Sequence, residues 1–213
     1  MEKLVIVGSG GLAREIKWLV DECNRIEKRW DVLGWISNEK EGTIIAGIPV
    51  LGDDEWLLNY QDDINVVIAI GNGLLRRKIA KKYRCNPNIS FPNIIAPSAC
   101  LSDTVNYGCG CIIMSLSSFT VNISIGDFVV CNPGCTVGHD CKIEDFVSIN
   151  PGANISGNIT LKEGTTVGTG ACIIQGLTIG NDAIVGAGST VIRNVPDGCT
   201  VVGVPAKPLE KKG

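Results

Sequence analysis

His139 and Asp140 are the neighbouring residues of this 213-residue chain that are best suited to proton transfer, and His139 is its only histidine. An imidazole titrates close to neutral pH, so it can take a proton from an attacking nucleophile. The carboxylate beside it can accept a hydrogen bond from the other ring nitrogen and hold the tautomer. The pair is a candidate general base with its partner. The alternative is an exposed histidine beside a solvated acid.

A glycine-rich turn near the start of the chain is a second candidate site. Gly8, Gly10 and Ala13 form a G-x-G-x-x-A pattern between a predicted strand and a predicted helix. Such a turn presents backbone N–H groups and a helix N-terminus to an anion such as a phosphate. The alternative is a tight turn that needs glycine only for packing. Dinucleotide-binding domains carry an acid at the end of the second strand, whereas Ser37 and Asn38 stand there, which disfavours NAD.

Strand and helix patterns alternate through residues 1–95. The predicted strands are Lys3–Val7, Asp31–Ser37, Ile48–Leu51, Asn65–Ile70 and Ile89–Ile95. The predicted helices are Ala13–Asn24, a segment capped by Asp53 that runs to Tyr60, and Leu74–Tyr83. This alternation is typical of a small parallel α/β domain of the Rossmann-like kind. We predict the domain over residues 1–95, and a second domain over residues 96–213.

A six-residue period runs through the second domain. Every sixth residue from Ile125 is a branched aliphatic in eleven of twelve cases, as follows: Ile125, Cys131, Val137, Ile143, Ile149, Ile155, Leu161, Val167, Ile173, Ile179, Val185 and Val191. The residue two places earlier is uncharged throughout and mostly small. This period fits neither an α-helix nor a flat strand, and it predicts a hexapeptide parallel β-helix with the aliphatic side chains inside. His139 then lies at a corner and points outward.

Composition narrows the classes of function. The net charge is −3 without a basic block, so nothing favours nucleic-acid binding, and no apolar run or leader pattern predicts a membrane or secreted protein. The ten cysteines form no C-x-x-C pair, and Cys131, Cys135 and Cys141 fall in the interior register. We therefore expect reduced thiols, no metal and a cytoplasmic location.

Three motifs carry a resemblance to a known family. They are Cys131–Asp140 (CNPGCTVGHD), Val147–Gly152 (VSINPG) and Val202–Lys207 (VGVPAK). With these motifs the chain resembles the hexapeptide acyltransferases, and its glycine-rich first half narrows this to the NeuD/PglD type. That family comprises sialic acid O-acetyltransferases and nucleotide-amino-sugar N-acetyltransferases. The resemblance implies a left-handed β-helix, a homotrimer with active sites between subunits, and acetyl-coenzyme A as the donor.

The resemblance also implies roles for individual residues. His139 would be the base, Asp140 its partner, and Ser148 would occupy the place where relatives often carry a second histidine. The backbone N–H of Gly157 would stabilise the oxyanion. The implied coenzyme contacts are Gly157, Gly168, Thr169, Ala187 and Lys207. The implied contacts to the nucleotide-sugar acceptor are Gly8, Ser9, Gly10, Gly11, Ser37, Asn38, Gly71 and Asn72.

Three functions remain open from the sequence. The first is N-acetylation of a nucleotide-linked amino-sugar, which is favoured because a neutral amine is a good nucleophile and tolerates the missing second histidine. The second is O-acetylation of a sialic acid-type sugar hydroxyl. The third is a non-catalytic scaffold that binds a nucleotide sugar. A β-helical carbonic anhydrase needs three histidines, and a sugar nucleotidyltransferase needs a longer first domain, so we set both aside.

Overall fold

The structure, a computed structural model, describes residues 1–209. The chain divides into two compact units after Pro97. The first unit contains ten elements, which are β1 (Glu2–Val7), α1 (Gly11–Ile26), β2 (Trp30–Ile36), β3 (Ile44–Ile45), β4 (Ile48–Gly52), α2 (Asp54–Leu58), β5 (Ile64–Ile68), α3 (Gly73–Tyr83), β6 (Ile89–Ser90) and β7 (Ile94–Ile95).

A six-stranded sheet forms the middle of the first unit, in the order β3-β4-β2-β1-β5-β6. All neighbours are parallel except the β3–β4 hairpin. The buried runs Leu4–Val7 and Val66–Ala69 show that β1 and β5 are covered on both faces. The strands that follow β1 in the chain, β2 to β4, lie on one side of β1, whereas β5 and β6 lie on its other side. The carboxyl ends of β1 and β5 therefore form the switch point at which parallel α/β sheets bind ligands.

Two predicted elements of the first unit were wrong in extent. The strand predicted over Ile89–Ile95 is interrupted between β6 and β7, where Pro92 lacks an N–H group for a ladder and restricts the residue before it. The helix that Asp53 caps ends at Leu58 instead of continuing to Tyr60. The cap itself is present, because the Asp53 carboxylate accepts a hydrogen bond of 2.9 Å from the Glu55 N–H.

The second unit is a parallel β-solenoid of short strands. These are β8 (Cys100–Leu101), β9 (Asn106–Tyr107), β10 (Ile112–Ile113), β11 (Ser118–Phe119), β12 (Ser124–Ile125), β13 (Val130–Cys131), β14 (Thr136–Val137), β15 (Lys142–Ile143), β16 (Ser148–Ile149), β17 (Asn154–Ile155), β18 (Thr160–Leu161), β19 (Thr166–Val167), β20 (Cys172–Ile173), β21 (Thr178–Ile179), β22 (Ile184–Val185), β23 (Thr190–Val191), β24 (Thr200–Val202) and β25 (Lys207–Pro208).

These strands form three sheets along the solenoid. Sheet I contains β10, β13, β16, β19, β22 and β24; sheet II contains β8, β11, β14, β17, β20 and β23; sheet III contains β9, β12, β15, β18 and β21. Each strand pairs in parallel with the strand three hexads later, so that Val130, Ser148 and Thr166 stack in one column. The last strand, β25, departs from this pattern and pairs antiparallel with β24. The predicted fold class, an α/β unit followed by a hexapeptide β-helix, is confirmed, and its left-handed sense stays a prediction.

The interior of the solenoid is built by the residues that the six-residue period selected. All twelve of them are at most 5% exposed. The residue two places earlier is also buried in every hexad except at Leu177, which is half-buried. Tyr107 falls in the same register before the pattern becomes strict, and its side chain is 45% exposed. The continuous aliphatic column therefore accounts for the solenoid core.

From residue 110 to residue 188 each corner contains one residue with a positive φ, which is Gly in seven corners and another residue, such as Asn122, Asp140 or Asn158, in the other seven. The glycine that directly follows an aliphatic core residue has a different function. A Cβ atom at Gly138 would lie 2.6 Å from the backbone nitrogen of Gly157 in the next coil. These glycines therefore permit adjacent coils to approach each other, whereas the tight bend is made two residues later.

Candidate active site

The corner between sheets II and III carries His139. Val137 before it and Cys141 after it are buried, while the side chains of His139 and Asp140 are 49% and 53% exposed. Asp140 supplies the positive φ of this corner, 59°. Because the bend turns the chain between two inward residues, the imidazole is directed to the outside of the solenoid.

His139 and Asp140 are hydrogen-bonded to each other. The distance from His139 Nδ1 to Asp140 Oδ2 is 2.8 Å. The carboxylate also accepts a bond of 3.2 Å from Asn122 Nδ2 in the preceding coil. The bond from His139, and then that from Asn122, lowers the pKa of Asp140 below its usual value. An ionised carboxylate can only accept, so Nδ1 is the donor, and in the neutral ring Nε2 is left with the lone pair that a base requires.

Gly157 lies directly beneath the imidazole, in the next coil. A Cβ atom at this position would lie 2.4 Å from His139 Nε2 and 2.5 Å from Cε1, so only glycine leaves room for the ring. The Gly157 carbonyl accepts a bond from the Gly176 N–H. Among residues 1–209 the Gly157 N–H itself has no acceptor. A hydrogen-bond donor close to a base is the arrangement that an oxyanion intermediate needs.

Ser148 does not join this group within one subunit. It lies in β16 of sheet I, is 3% exposed, and pairs with Val130 and Thr166. His139 lies at the corner between sheets II and III, to which sheet I does not contribute. A contact between Ser148 and the imidazole would therefore require a second copy of the chain.

The predicted coenzyme contacts fall at several places on the solenoid. Gly157 is beneath His139, whereas Gly168, Thr169 and Ala187 lie at the corner between sheets I and II. A Cβ atom at Gly168 would lie 2.5 Å from the Ala187 nitrogen, so the two coils touch there through backbone. Lys207 is exposed in β25. The structure thus does not gather these five residues into one site within a single subunit.

A groove of about 260 Å³ lies on sheet II and reaches the His139 corner. Its lining belongs to β11, β14 and β17 and to the residues that directly follow them, and consists of Ser118, Thr120, Thr136, Val137, Gly138, Asn154, Ile155 and Ser156. The groove ends at Gly138 and Ser156, which directly precede His139 and Gly157.

The glycine-rich turn of the first unit follows β1 and opens α1. Gly8 has a φ of 99°, and a Cβ atom there would lie 3.0 Å from Ile70 Cδ1, so the turn requires glycine. Cβ atoms at Gly10 and Gly11 would meet nothing within 4 Å. The first turn of α1 contains no acidic residue. This open, non-acidic helix N-terminus can accept a phosphate.

The other predicted acceptor contacts lie beside this turn. The Gly8 N–H bonds the Ile36 carbonyl, which brings Ser37 next to Gly8. Ser37 and Asn38 line a cleft of about 410 Å³ that also contains Glu39, Glu41, Gly52, Asp53 and Trp56. Gly71 and Asn72 follow β5, and the Asn72 side chain caps α3 by accepting a bond of 2.9 Å from the Leu75 N–H. The sheet thus brings the three predicted segments to one edge.

Asn122 and Arg76 were not selected from the sequence. Asn122 reaches Asp140 from one coil earlier, and Arg76 donates to the carbonyls of Ile70 and Gly71. The six-residue period contained the signal for Asn122, because three hexads make one coil and so place residues 18 apart on top of each other. No comparable signal marks Arg76.

Over residues 1–209, the structure was searched for metal clusters and for membrane-spanning helices, and it contains neither. In the part of the chain that the structure describes, no three His, Cys, Asp or Glu side chains are grouped so that they could hold a metal ion. All ten cysteines are free thiols. Within residues 1–209, no helix is long and apolar enough to cross a membrane.

Comparison with known proteins identifies relatives along the whole chain. The model of the PglD N-terminal domain family matches residues 3–83. The acetyltransferase domain of PglB from Neisseria gonorrhoeae FA1090, solved with acetyl coenzyme A, is 32% identical with a TM-score of 0.90, covering 98% of this chain and 99% of that one. PerB from Caulobacter crescentus, solved with CoA and GDP-perosamine, is 32% identical with a TM-score of 0.89, covering 99% and 98%.

WeeI from Acinetobacter baumannii AYE is also 32% identical, with a TM-score of 0.89 over 98% of this chain and 100% of that one. No curated protein matches the chain. The resemblance that the motifs indicated is confirmed by these solved relatives, which share both units. The chain belongs to the NeuD/PglD-type family of hexapeptide-repeat sugar acetyltransferases.

Proposed function

We propose that this protein transfers an acetyl group from acetyl-coenzyme A to the amino group of a nucleotide-linked amino-sugar. The observation that carries the proposal is the cluster of His139, Asp140 and Gly157, which places a base and a backbone donor together. Two solved relatives support the choice of donor and acceptor, since one binds acetyl coenzyme A and another binds CoA and GDP-perosamine.

The chemistry follows from the geometry of this corner. The neutral amine attacks the thioester carbon while His139 Nε2 removes its proton. The Asp140 carboxylate stabilises the imidazolium that forms through the bond at Nδ1. The negative charge that develops on the thioester oxygen is stabilised by the Gly157 N–H. The carbon–sulfur bond then breaks, and the imidazolium returns the proton to the departing coenzyme thiolate, which yields the amide and free coenzyme A.

The remaining parts of the site are inferred from the family. The nucleotide of the acceptor binds at Gly8–Gly11, Ser37–Asn38 and Gly71–Asn72. The coenzyme contacts the backbone at Gly157, Gly168, Thr169 and Ala187, and its phosphates contact Lys207. The homotrimer with active sites between subunits is inferred from the family as well. The left-handed coil, the trimer and the cytoplasmic location remain predictions.

A thiol-release assay tests the proposal. Acetyl-coenzyme A is offered with a panel of nucleotide-linked 3-amino and 4-amino sugars and with free sialic acid. We expect release with an amino-sugar, and a loss of about 10²- to 10⁴-fold in His139→Asn. The matched control is Lys142→Met, an exposed residue in the next strand, which should keep full activity. Release with sialic acid alone would indicate O-transfer, and an active His139→Asn would remove the assigned base.

A further inference from the structure

A column of polar side chains runs along the corner between sheets II and III and leads to the candidate base. Residues 18 apart stack in this column, because Ser124 pairs with Lys142 in neighbouring strands of sheet III. The same spacing places Thr104, Asn122 and Asp140 one above another in three successive coils. All three residues are exposed, so the column lies on the outside of the solenoid.

The backbone of Asn122 is held by the coil that precedes it. Its N–H donates a hydrogen bond of 2.8 Å to Thr104 Oγ1. One coil later, the N–H of Asp140 donates to a backbone carbonyl instead, that of Val121. With a φ of 56°, Asn122 makes the left-handed bend of its corner, a conformation in which asparagine is enriched. The Thr104 hydroxyl therefore does for Asn122 what a carbonyl does for Asp140.

The two oxygens of the Asp140 carboxylate accept hydrogen bonds from different coils. Oδ2 is 2.8 Å from His139 Nδ1, and Oδ1 accepts from Asn122 Nδ2 at 3.2 Å. Over residues 1–209 these are the only hydrogen bonds to this carboxylate. The last torsion of an aspartate side chain has a broad energy minimum, so a single bond lets the plane of the carboxylate turn. The second bond, at the opposite oxygen, fixes that plane.

We infer that Asn122 is a positioning residue for the candidate base. It holds the Asp140 carboxylate so that Oδ2 faces Nδ1 of His139. The proton of the neutral ring is then kept on Nδ1, and Nε2 is left to accept the proton of the acceptor amine. The effect of Asn122 on acetyl transfer rests on the proposed function, whereas its effect on the imidazole can be measured without any substrate.

The test uses the full-length protein and two glycine variants. His139 is the only histidine of the chain, so its ring nitrogens can be observed by themselves in a nitrogen-15 NMR spectrum. Asn122→Gly removes the donor and keeps the bend, because glycine adopts a positive φ without strain. The matched control is Asn158→Gly, which makes the same change one coil beyond Asp140, at a φ of 54°.

We expect wild type and Asn158→Gly to hold the proton on Nδ1 at about pH 9, where an ordinary imidazole is neutral. Asn122→Gly should shift the ring toward the other tautomer. In the thiol-release assay, with the amino-sugar nucleotide that wild type accepts, it should lower kcat about three- to tenfold and change the KM of acetyl-coenzyme A less than about twofold. In an Asp140→Ala background, Asn122→Gly should have no further effect on kcat.

An unchanged tautomer in Asn122→Gly overturns the inference, and so does a kcat that stays at the wild-type value. An equal loss of kcat in the Asp140→Ala background also overturns it, since Asn122 would then act on something other than the carboxylate. The same loss in Asn158→Gly would attribute the effect to a looser corner and not to the lost donor. If wild type transfers acetyl to no acceptor, the proposed function fails, while a shifted tautomer in Asn122→Gly would still support the positioning of the ring.

Discussion

Replacing Gly157 by alanine tests the proposed base directly, because the three atoms nearest to the added methyl group all belong to the imidazole. The new Cβ atom would lie 2.4 Å from His139 Nε2, 2.5 Å from Cε1 and 2.8 Å from Cδ2. An ordinary contact is about 3.4 Å or more, so the ring must move by about 1 Å. The imidazole is half exposed and can swing outward, so we expect the fold to be kept.

The size of the effect follows from this displacement. A reacting group misplaced by about 1 Å can lose roughly 10²-fold in rate, which corresponds to about 2.7 kcal/mol of transition-state stabilisation. We therefore expect the kcat/KM of Gly157→Ala to fall about 100-fold in the thiol-release assay. The melting temperature should change little, since the backbone at Gly157 is not in the left-handed region.

A double-mutant cycle separates this effect from others. In a His139→Ala background the ring is gone, so Gly157→Ala should cost almost nothing further. The reasoning is refuted if Gly157→Ala keeps more than about half of the wild-type kcat/KM. It is equally refuted if the substitution costs the same 100-fold when His139 is already alanine, because the methyl group would then act on something other than the base.

Three further predictions concern the carboxylate, the first unit and the subunit interface. The hydrogen bond from His139, and then that from Asn122, lowers the pKa of Asp140, so this carboxylate is ionised at neutral pH. Asp140→Asn should therefore reduce kcat/KM in the thiol-release assay, because the imidazolium loses the charge that stabilises it. Burial alone would raise the pKa of Asp54, but hydrogen bonds, first that from Tyr83, hold it below its usual value. The ionised Asp54 carboxylate therefore stabilises the folded state fully above about pH 4, and this stabilisation is lost as the pH falls through the folded-state pKa. Tyr83→Phe should lower the free energy of unfolding by about 1 kcal/mol in a urea titration. If the active site is shared between subunits, Ser148→Ala should lower kcat about tenfold. Oligomers reassembled from Ser148→Ala and His139→Asn subunits should then have a higher kcat than either variant alone. A mixture whose kcat is no higher than the average of the two variants would contradict the shared site.

The solenoid could be predicted from the sequence because the six-residue period identifies which side chains lie inside it. The interior position of Ile149 or Val167 follows from its place in the hexad, so no contact with a distant part of the chain is needed to predict it. The outward position of His139 follows from the same count. The interruption at Pro92 was also readable, because proline lacks the donor that a continuous strand uses.

Other features depended on contacts that the period does not describe. The 18-residue coil places Asn122 before Asp140 and Gly157 after His139, but only the side-chain geometry shows that Asn122 donates to Asp140 and that the imidazole leaves no room for a Cβ atom at Gly157. Arg76 would be placed on a solvated helix face by its residue type, and only the packing of α3 shows it buried. Ser148 follows His139 by nine residues but lies on sheet I, because nine residues amount to one and a half hexads.

The antiparallel return of β25 onto β24 has a consequence for self-association. A parallel solenoid ends in a row of unpaired N–H and C=O groups that another chain can extend, which is a common route to fibres. Here Lys207 and Pro208 lie along β24, one with a charge and the other without an N–H group. The short hairpin therefore closes the C-terminal edge of sheet I, and a version with coils added or removed would have to retain it to keep this edge from pairing with another chain.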